Sequence, residues 1–254
     1  MVDYDGRLHR VYAAGRELAA ETLQEWMRAF AAVVPERRPL TVLDLGCGIG
    51  RFTPALADTF GGPVYGVEPS AEMRKQAVAG AAHPNVTYLE GAAEEIPLDD
   101  SSCDVALVFL AFHHFRDQAR ALRELARVIR PGGAVLLRTQ FSDLMPDLFW
   151  YDYFPSARVV DAGMYLSLAR TRELAQQAGF QPDEQPVWVD ADGQRTLGTA
   201  YERIRVRALS TFEHLPEEEI ASGFEAFRGA AEKTPDRLTP SYQAAMLVLR
   251  RPST

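Results

Sequence analysis

Cysteine is scarce in this chain. Cys47 and Cys103 are the only two in 254 residues, too few for a disulfide framework. Each sits in an apolar stretch of strand character, so reduced thiols and a cytoplasmic setting are the expectation. Long apolar runs are missing as well. No stretch reaches the length of a membrane span, and the opening MVDYDGRLHRVYAAGREL carries no apolar core of signal-peptide type, so no membrane partner is expected. Positive charge is in deficit: 27 Lys and Arg stand against 35 Asp and Glu, for a net charge of −8. A chain of that balance has no broad basic surface for phosphate backbones, which argues against nucleic acid. No His, Cys and carboxylate cluster has metal-ligand spacing, so no metal is expected, and no G-x-S-x-G nucleophile elbow is present. Internal repeats and low-complexity segments are also lacking. What is there, 47% hydrophobic and 24% charged residues, is the composition of a folded domain, large enough for one α/β unit with an inserted cap.

From residue 40 to 140, strand and helix signals alternate. LTVLDL, VYGVE, NVTYLEG, CDVALVFLAF and AVLLRTQF read as strands. RFTPALADTF, PSAEMRKQAVAGA (with Ser70 as its cap) and DQARALRELARVIR read as helices between them, and residues 12–33 as a helix before them. That alternation means a parallel sheet with helices on both faces. After 140 the rhythm breaks. Residues 141–169 are aromatic-rich and irregular, and 192–240 carry two polar helices interrupted near LPEEE. LARTRELAQQAGF and QPVWVDA resume the core between them, and YQAAMLVLRR is a final strand. The expected layout is therefore an N-terminal helical lid (1–36), a ligand-binding core (37–140), an aromatic cap insertion (141–169), a core helix and sixth strand (170–191), a helical cap insertion (192–240) and a last core strand (241–254).

The turn after the first strand carries chemistry. TVLDLGCGIG places Gly46, Gly48 and Gly50 at alternate positions and leads directly into a helix. Glycine permits positive φ and removes the Cβ that would hold a ligand off the backbone. Dinucleotide sites use G-x-G-x-x-G and put a pyrophosphate at the helix start. Here the spacing is G-x-G-x-G, and Asp44 stands two residues before the first glycine, where it would repel a pyrophosphate and suit a cation. Glu68 ends the second strand and is placed to accept from two ribose hydroxyls. A ribose, no diphosphate and positive charge near the turn describe S-adenosylmethionine.

These segments resemble the class I S-adenosylmethionine-dependent methyltransferases. VLDLGCGIG is similar to that family's first motif, VYGVEPSAEMRKQA to its second, GAAEEIPLDDSSCDVALVFLAFHHF to the stretch through strand four, and LRELARVIRPGG to the helix and turn before strand five. The resemblance implies a Rossmann-like, doubly wound, seven-stranded sheet, mostly parallel with an antiparallel last strand. It implies S-adenosylmethionine as cofactor and a transferase acting on a small molecule by O- or N-methylation, or on a peptide. Asp44, Gly46, Cys47, Gly48, Glu68, Pro69, Met73, Ala93, Glu94 and Phe109 are its implied cofactor contacts, with Met73 packed on adenine. Two departures stand out. Ala92 occupies a position where relatives have an aspartate toward adenine, which leaves Glu94 or the backbone at Ala93 to hold the amino group. Cys103 replaces the usual phenylalanine before Asp104. Tyr12 and Arg16, in VYAAGREL, resemble a Tyr-x-x-x-Arg element that folds over the methionine tail in some relatives.

His113 and His114 follow the fourth strand and are the candidates for a general base, against a plain packing role at a helix start. Adjacent residues in a turn point in different directions, so one metal could not take both. The aromatic run FWYDYF, 149–154, either walls an acceptor pocket or packs the insertion onto the core. Two other readings belong to different classes. A nicotinamide-dependent oxidoreductase shares the Glu68 role but wants a pyrophosphate site. A protein that binds S-adenosylmethionine for regulation, or for its charge alone, shares everything but the methyl transfer. A monomer or homodimer is expected.

Overall fold

The computed structural model describes residues 18–190 and 195–253. Its first helix, α1, runs Ala20–Val33 and buries Thr22, Trp26, Met27 and Phe30, a stripe at helical spacing. The sequence reading began this helix at residue 12; the part before 18 lies outside the described residues.

The core then alternates as the pattern required. β1 (Leu40–Leu45), α2 (Thr53–Phe60), β2 (Gly61–Glu68), α3 (Ala71–Gly80), β3 (Val86–Glu90), β4 (Cys103–Phe109), α4 (Gln118–Val128) and β5 (Ile129–Arg138) follow in order. Ser70 caps α3 as expected, its hydroxyl accepting from the Met73 N–H, and Asp117 caps α4 through the Arg120 N–H. One boundary differs from the sequence reading: α4 stops at Val128, and Ile129, Arg130 and the PGG segment already belong to β5. Ile129 has extended backbone, and its pairing with Cys103 starts the ladder that the helical pattern had claimed.

The sheet order is β3-β2-β1-β4-β5, followed by the last strand, Gln243–Arg250 (β8), and then by the short strand Gln181–Pro182 (β6). β1 to β5 pair in parallel, and β8 (Gln243–Arg250) lies antiparallel to β5. The sixth strand of the sequence reading divides in two. A short β6 (Gln181–Pro182) and β7 (Val187–Asp190) both pair with β8, making eight strands where seven were expected.

Alternation along the central strands sorts the core onto two faces. Leu43, Leu45, Ala106, Val108, Val135 and Leu137 pack against α4 and against α6 (Leu168–Gln177). Val42, Val105, Leu107 and Leu136 face the other way, against Trp26 and Phe30 of α1 and Leu56 and Phe60 of α2. Both faces are covered, which is why β4 reads as apolar throughout.

The two insertions form one structure. A 3-10 turn at Phe149–Asp152, α5 (Ala157–Met164), α7 (Leu197–Ile204), a second 3-10 turn at Ser210–Glu213 and α8 (Glu217–Lys233) share a third apolar cluster. Phe154 and Phe212 meet edge to face at 5.1 Å, and Tyr153 stacks on Phe227 at 4.4 Å. Fully burying side chains of this size contributes about 2–3 kcal/mol each. The packing reading therefore holds for Phe154. Phe149 and Trp150 also wall a cavity, so the aromatic run does both things.

Candidate functional site

All chemistry-bearing segments converge at the carboxyl ends of the parallel strands, where open α/β sheets bind ligands. The chain leaves β1 through a turn in which Gly46 and Gly48 have φ of +72° and +58°. A Cβ on Gly46 would meet the Ala111 Cβ at 2.6 Å, so the turn lies flush against the end of β4. The Gly46 and Cys47 N–H groups both donate to the Val67 carbonyl, at 2.8 and 3.2 Å.

Glu68 closes this cradle. Its Oε2 accepts from the Gly48 N–H at 3.0 Å and its Oε1 from the Ser70 N–H at 3.0 Å, and the side chain is buried. Arg74, one turn into α3, donates to the Glu68 and Pro69 carbonyls at 2.9 and 2.8 Å and fixes the backbone from below. A carboxylate has about four lone-pair sites, and these backbone bonds take two of them.

Beside the cradle lies a cleft of about 980 Å³, its open mouth included. Gly46, Gly48, Glu68, Pro69, Met73, Ala93, Glu94, Phe109 and His114 are on its wall, so nine of the residues singled out in the sequence share one surface. Glu94 also spends one oxygen on the Asp117 N–H at 3.0 Å, tying the cleft to the start of α4. Phe109 is braced from behind by Phe52 at 4.2 Å and Trp26 at 4.9 Å.

Two of the implied contacts stand back from this lining. Asp44 and Cys47 are not on the cleft wall. Asp44 shares the Val42 face of β1, so it points at α2, is 3% exposed, and accepts from the Thr53 hydroxyl at 2.7 Å. Burial raises its pKa to about 6 from an ordinary 3.8, with the Thr53 bond and Arg51 pulling the other way. The Cys47 thiol turns inward toward Gly66, and burial followed by the charges of Asp44 and Glu68 pushes its pKa far up. Tyr12 and Arg16 lie outside the described residues.

The histidines separate. His114 is on the wall of the cleft beside the glycine turn, and His113 is on the wall of a second cavity under the cap, although their rings are only 3.8 Å apart. Tyr165 packs on His113 at 4.6 Å. Leu110 belongs to both walls. It has φ of +53°, rare for leucine, and its N–H donates to the Arg138 carbonyl at 2.7 Å, which anchors this conformation. The cap cavity also takes Gln140, Asp161, Arg195 and Arg203. Asp161 is buried and accepts from Tyr151 Oη at 2.8 Å and Thr211 Oγ1 at 2.5 Å. The sequence reading named none of these. Leu110 directly follows β4 and Gln140 lies two residues past β5, positions that could have flagged them; Asp161, Arg195 and Arg203 sit on cap helices or at a helix entry, with no pattern to mark them.

The profile of a methyltransferase domain matches residues 43–137, the whole stretch from the glycine turn through β5. Over those residues the chain is similar to the class I methyltransferases. Among its relatives, an uncharacterized methyltransferase of Mycobacterium tuberculosis is 45% identical over 122 residues, covering 48% of this chain and 46% of that protein. A malonyl-[acyl-carrier protein] O-methyltransferase of Pseudescherichia vulneris is 38% identical over 117 residues, 46% of this chain and 45% of that one. The chain spans less than half the length of these curated relatives. A solved structure from Anabaena variabilis, described as a candidate methyltransferase of an antibiotic biosynthesis pathway, shares 26% identity with a TM-score of 0.71, covering 89% of this chain and 96% of that one. S-adenosylmethionine is the cofactor that this methyltransferase family implies. No helix of the described residues is long and apolar enough to cross a membrane.

Proposed function

We propose that this chain transfers the methyl group of S-adenosylmethionine to a small-molecule acceptor held under the cap. The observation that carries the reading is the Glu68 carboxylate, fixed by two backbone N–H groups at the mouth of a cleft floored by positive-φ glycines. The residues fit the cofactor. Glu68 would take the ribose hydroxyls, Met73 and Ala93 would pack on adenine, and Gly46 and Gly48 would let the main chain approach. Bound there, S-adenosylmethionine supplies a methyl on a positive sulfur that departs as a neutral thioether.

The chain's own work is alignment and exclusion of water. Leu110 stands on both cavity walls, so the acceptor meets the cofactor across it. His113, on the acceptor side, would take the proton that an acceptor hydroxyl or amine gives up. The cap cluster would shield the site from solvent.

An oxidoreductase reading is disfavoured by the match of a methyltransferase domain to the segment that would have held a nicotinamide cofactor. The test uses radiolabelled S-adenosylmethionine with fractionated cell extract, alongside calorimetry with S-adenosylhomocysteine. Label entering one fraction supports the reading. Tight binding of S-adenosylhomocysteine with no acceptor in any fraction would point to a regulatory role, and no binding would remove the reading altogether.

A further inference from the structure

Leu110 is the first residue after β4, and it breaks two habits of its type. Its φ is +53°, in the left-handed region that leucine rarely visits. It also belongs to none of the three apolar clusters, although Phe109 before it and Ala111 after it each pack into one. Leu110 is half-buried instead. Core packing therefore does not account for a large apolar side chain at this position.

The backbone around it is fixed from two sides. The Leu110 N–H donates to the Arg138 carbonyl at 2.7 Å, which ties it to the end of β5. Ala111 carries the Cβ that a side chain on Gly46 would strike at 2.6 Å, which sets the next residue flush against the glycine turn. A non-glycine residue kept in a costly conformation is over-determined by its surroundings, and such residues gather at ligand sites. Glycine would adopt this backbone without penalty. What leucine adds is its side chain.

Leu110 is on the wall of the cleft beside the glycine turn and on that of the cavity under the cap, and among the described residues no other is on both. A group that reaches from one space to the other passes Leu110. In alkyl transfer that group is the substituent on the sulfur, which must point from the cofactor toward the acceptor.

We propose that the Leu110 side chain limits the size of the alkyl group the cofactor can carry, leaving room for methyl on the sulfur and turning away ethyl. This rests on the methyltransferase reading above and names the residue that restricts the transferred group to a methyl. An apolar wall discriminates by volume, and one methylene there is worth roughly tenfold or more in affinity. The limit is sharp because an added methylene would have to displace a residue whose backbone is pinned.

The experiment is calorimetric titration of the full chain with S-adenosylmethionine, S-adenosylethionine and S-adenosylhomocysteine, for wild type, Leu110→Ala, Leu110→Gly and Leu110→Met. The readout is the ratio of methyl to ethyl affinity within each protein, which a general loosening of the fold lowers in common and leaves unchanged. Wild type should bind the ethyl sulfonium about tenfold or more weaker than the methyl one. Leu110→Ala and Leu110→Gly should bring the two within about threefold. Leu110→Met, which keeps the volume, should hold the wild-type ratio. Glycine suits the φ of residue 110, so one of the two small variants carries no backbone strain. Equal wild-type affinities for the methyl and ethyl sulfonium overturn the proposal, and so does a wild-type ratio that survives in Leu110→Ala or Leu110→Gly. In both cases binding of S-adenosylhomocysteine keeps the cofactor reading standing. Failure of the wild type to bind S-adenosylhomocysteine is a separate result, which removes the methyltransferase reading and this proposal with it.

Discussion

The Glu68 carboxylate accepts a hydrogen bond from the Gly48 N–H at 3.0 Å, across 20 residues of sequence. One side chain thus joins the end of β2 to the turn after β1. The bond makes this acid of the cleft wall part of the turn's own architecture. With its second oxygen on the Ser70 N–H, Glu68 is held in one orientation before any ligand arrives. An acid so fixed loses little side-chain entropy when it binds a sugar.

Glu68→Ala should therefore weaken binding of S-adenosylhomocysteine by about 2 kcal/mol or more, on the order of thirtyfold, as loss of charge-assisted hydrogen bonds implies. It should also lower the melting temperature of the unliganded protein, because two buried N–H groups lose their acceptor. Calorimetry and thermal melting measure the two effects separately. Unchanged affinity would show that the sugar lies elsewhere.

Gly46→Ala carries two penalties. Positive φ costs an L-residue about 1–2 kcal/mol, and the overlap with Ala111 adds about 1–3 kcal/mol. The melting temperature should fall by roughly 10 °C for a chain of this size. Adding Ala111→Gly should recover part of the loss, since it relieves the overlap and leaves the backbone strain. Full recovery would mean that φ at residue 46 matters little.

The core was legible because its signals are local and periodic. Buried strands read as apolar runs, the helices carried caps such as Ser70, and the glycine turn has a spacing that dictates its backbone. Glu68 was legible through its distance from that turn. The surroundings of Asp44 were less legible: alternation along β1 turns it toward Thr53, and a strand pattern alone does not say which helix covers that face. The cap was opaque for a different reason. Gln140, Asp161, Arg195 and Arg203 come from segments with no shared period and meet only after Phe154, Phe212 and Phe227 have packed the insertions together.

Asp44 should make the stability of the unliganded protein depend on pH. Its pKa is about 6 folded against 3.8 as a free side chain, so the folded state keeps a proton that the unfolded chain has released. The stabilisation this gives is full below about pH 4 and is lost as pH rises through 6. Two pK units correspond to about 3 kcal/mol at neutral pH. Asp44→Asn, which can still accept from Thr53, should therefore melt several degrees higher than wild type at pH 8 and nearly level with it at pH 4. Coincident melting at both values would show that the carboxylate is not held in the buried position.

The separation of the two histidines gives the last prediction. His114 is on the wall of the cleft beside the glycine turn and His113 on that of the cap cavity, with Leu110 belonging to both. Substitution should therefore act on different ligands. His114→Gln should weaken S-adenosylhomocysteine measurably, by about three- to tenfold for one lost contact of ordinary strength. His113→Gln should leave that affinity within error of wild type. Its effect should appear in methyl transfer to whichever extract component takes up label, as a lower maximal rate at saturating cofactor, because the group that accepts the proton is gone. The reverse pattern, with His113→Gln weakening S-adenosylhomocysteine and His114→Gln slowing transfer, would assign the proton to the other ring. Equal effects of both substitutions on S-adenosylhomocysteine would instead reduce the pair to a packed corner between Ala111 and Phe115.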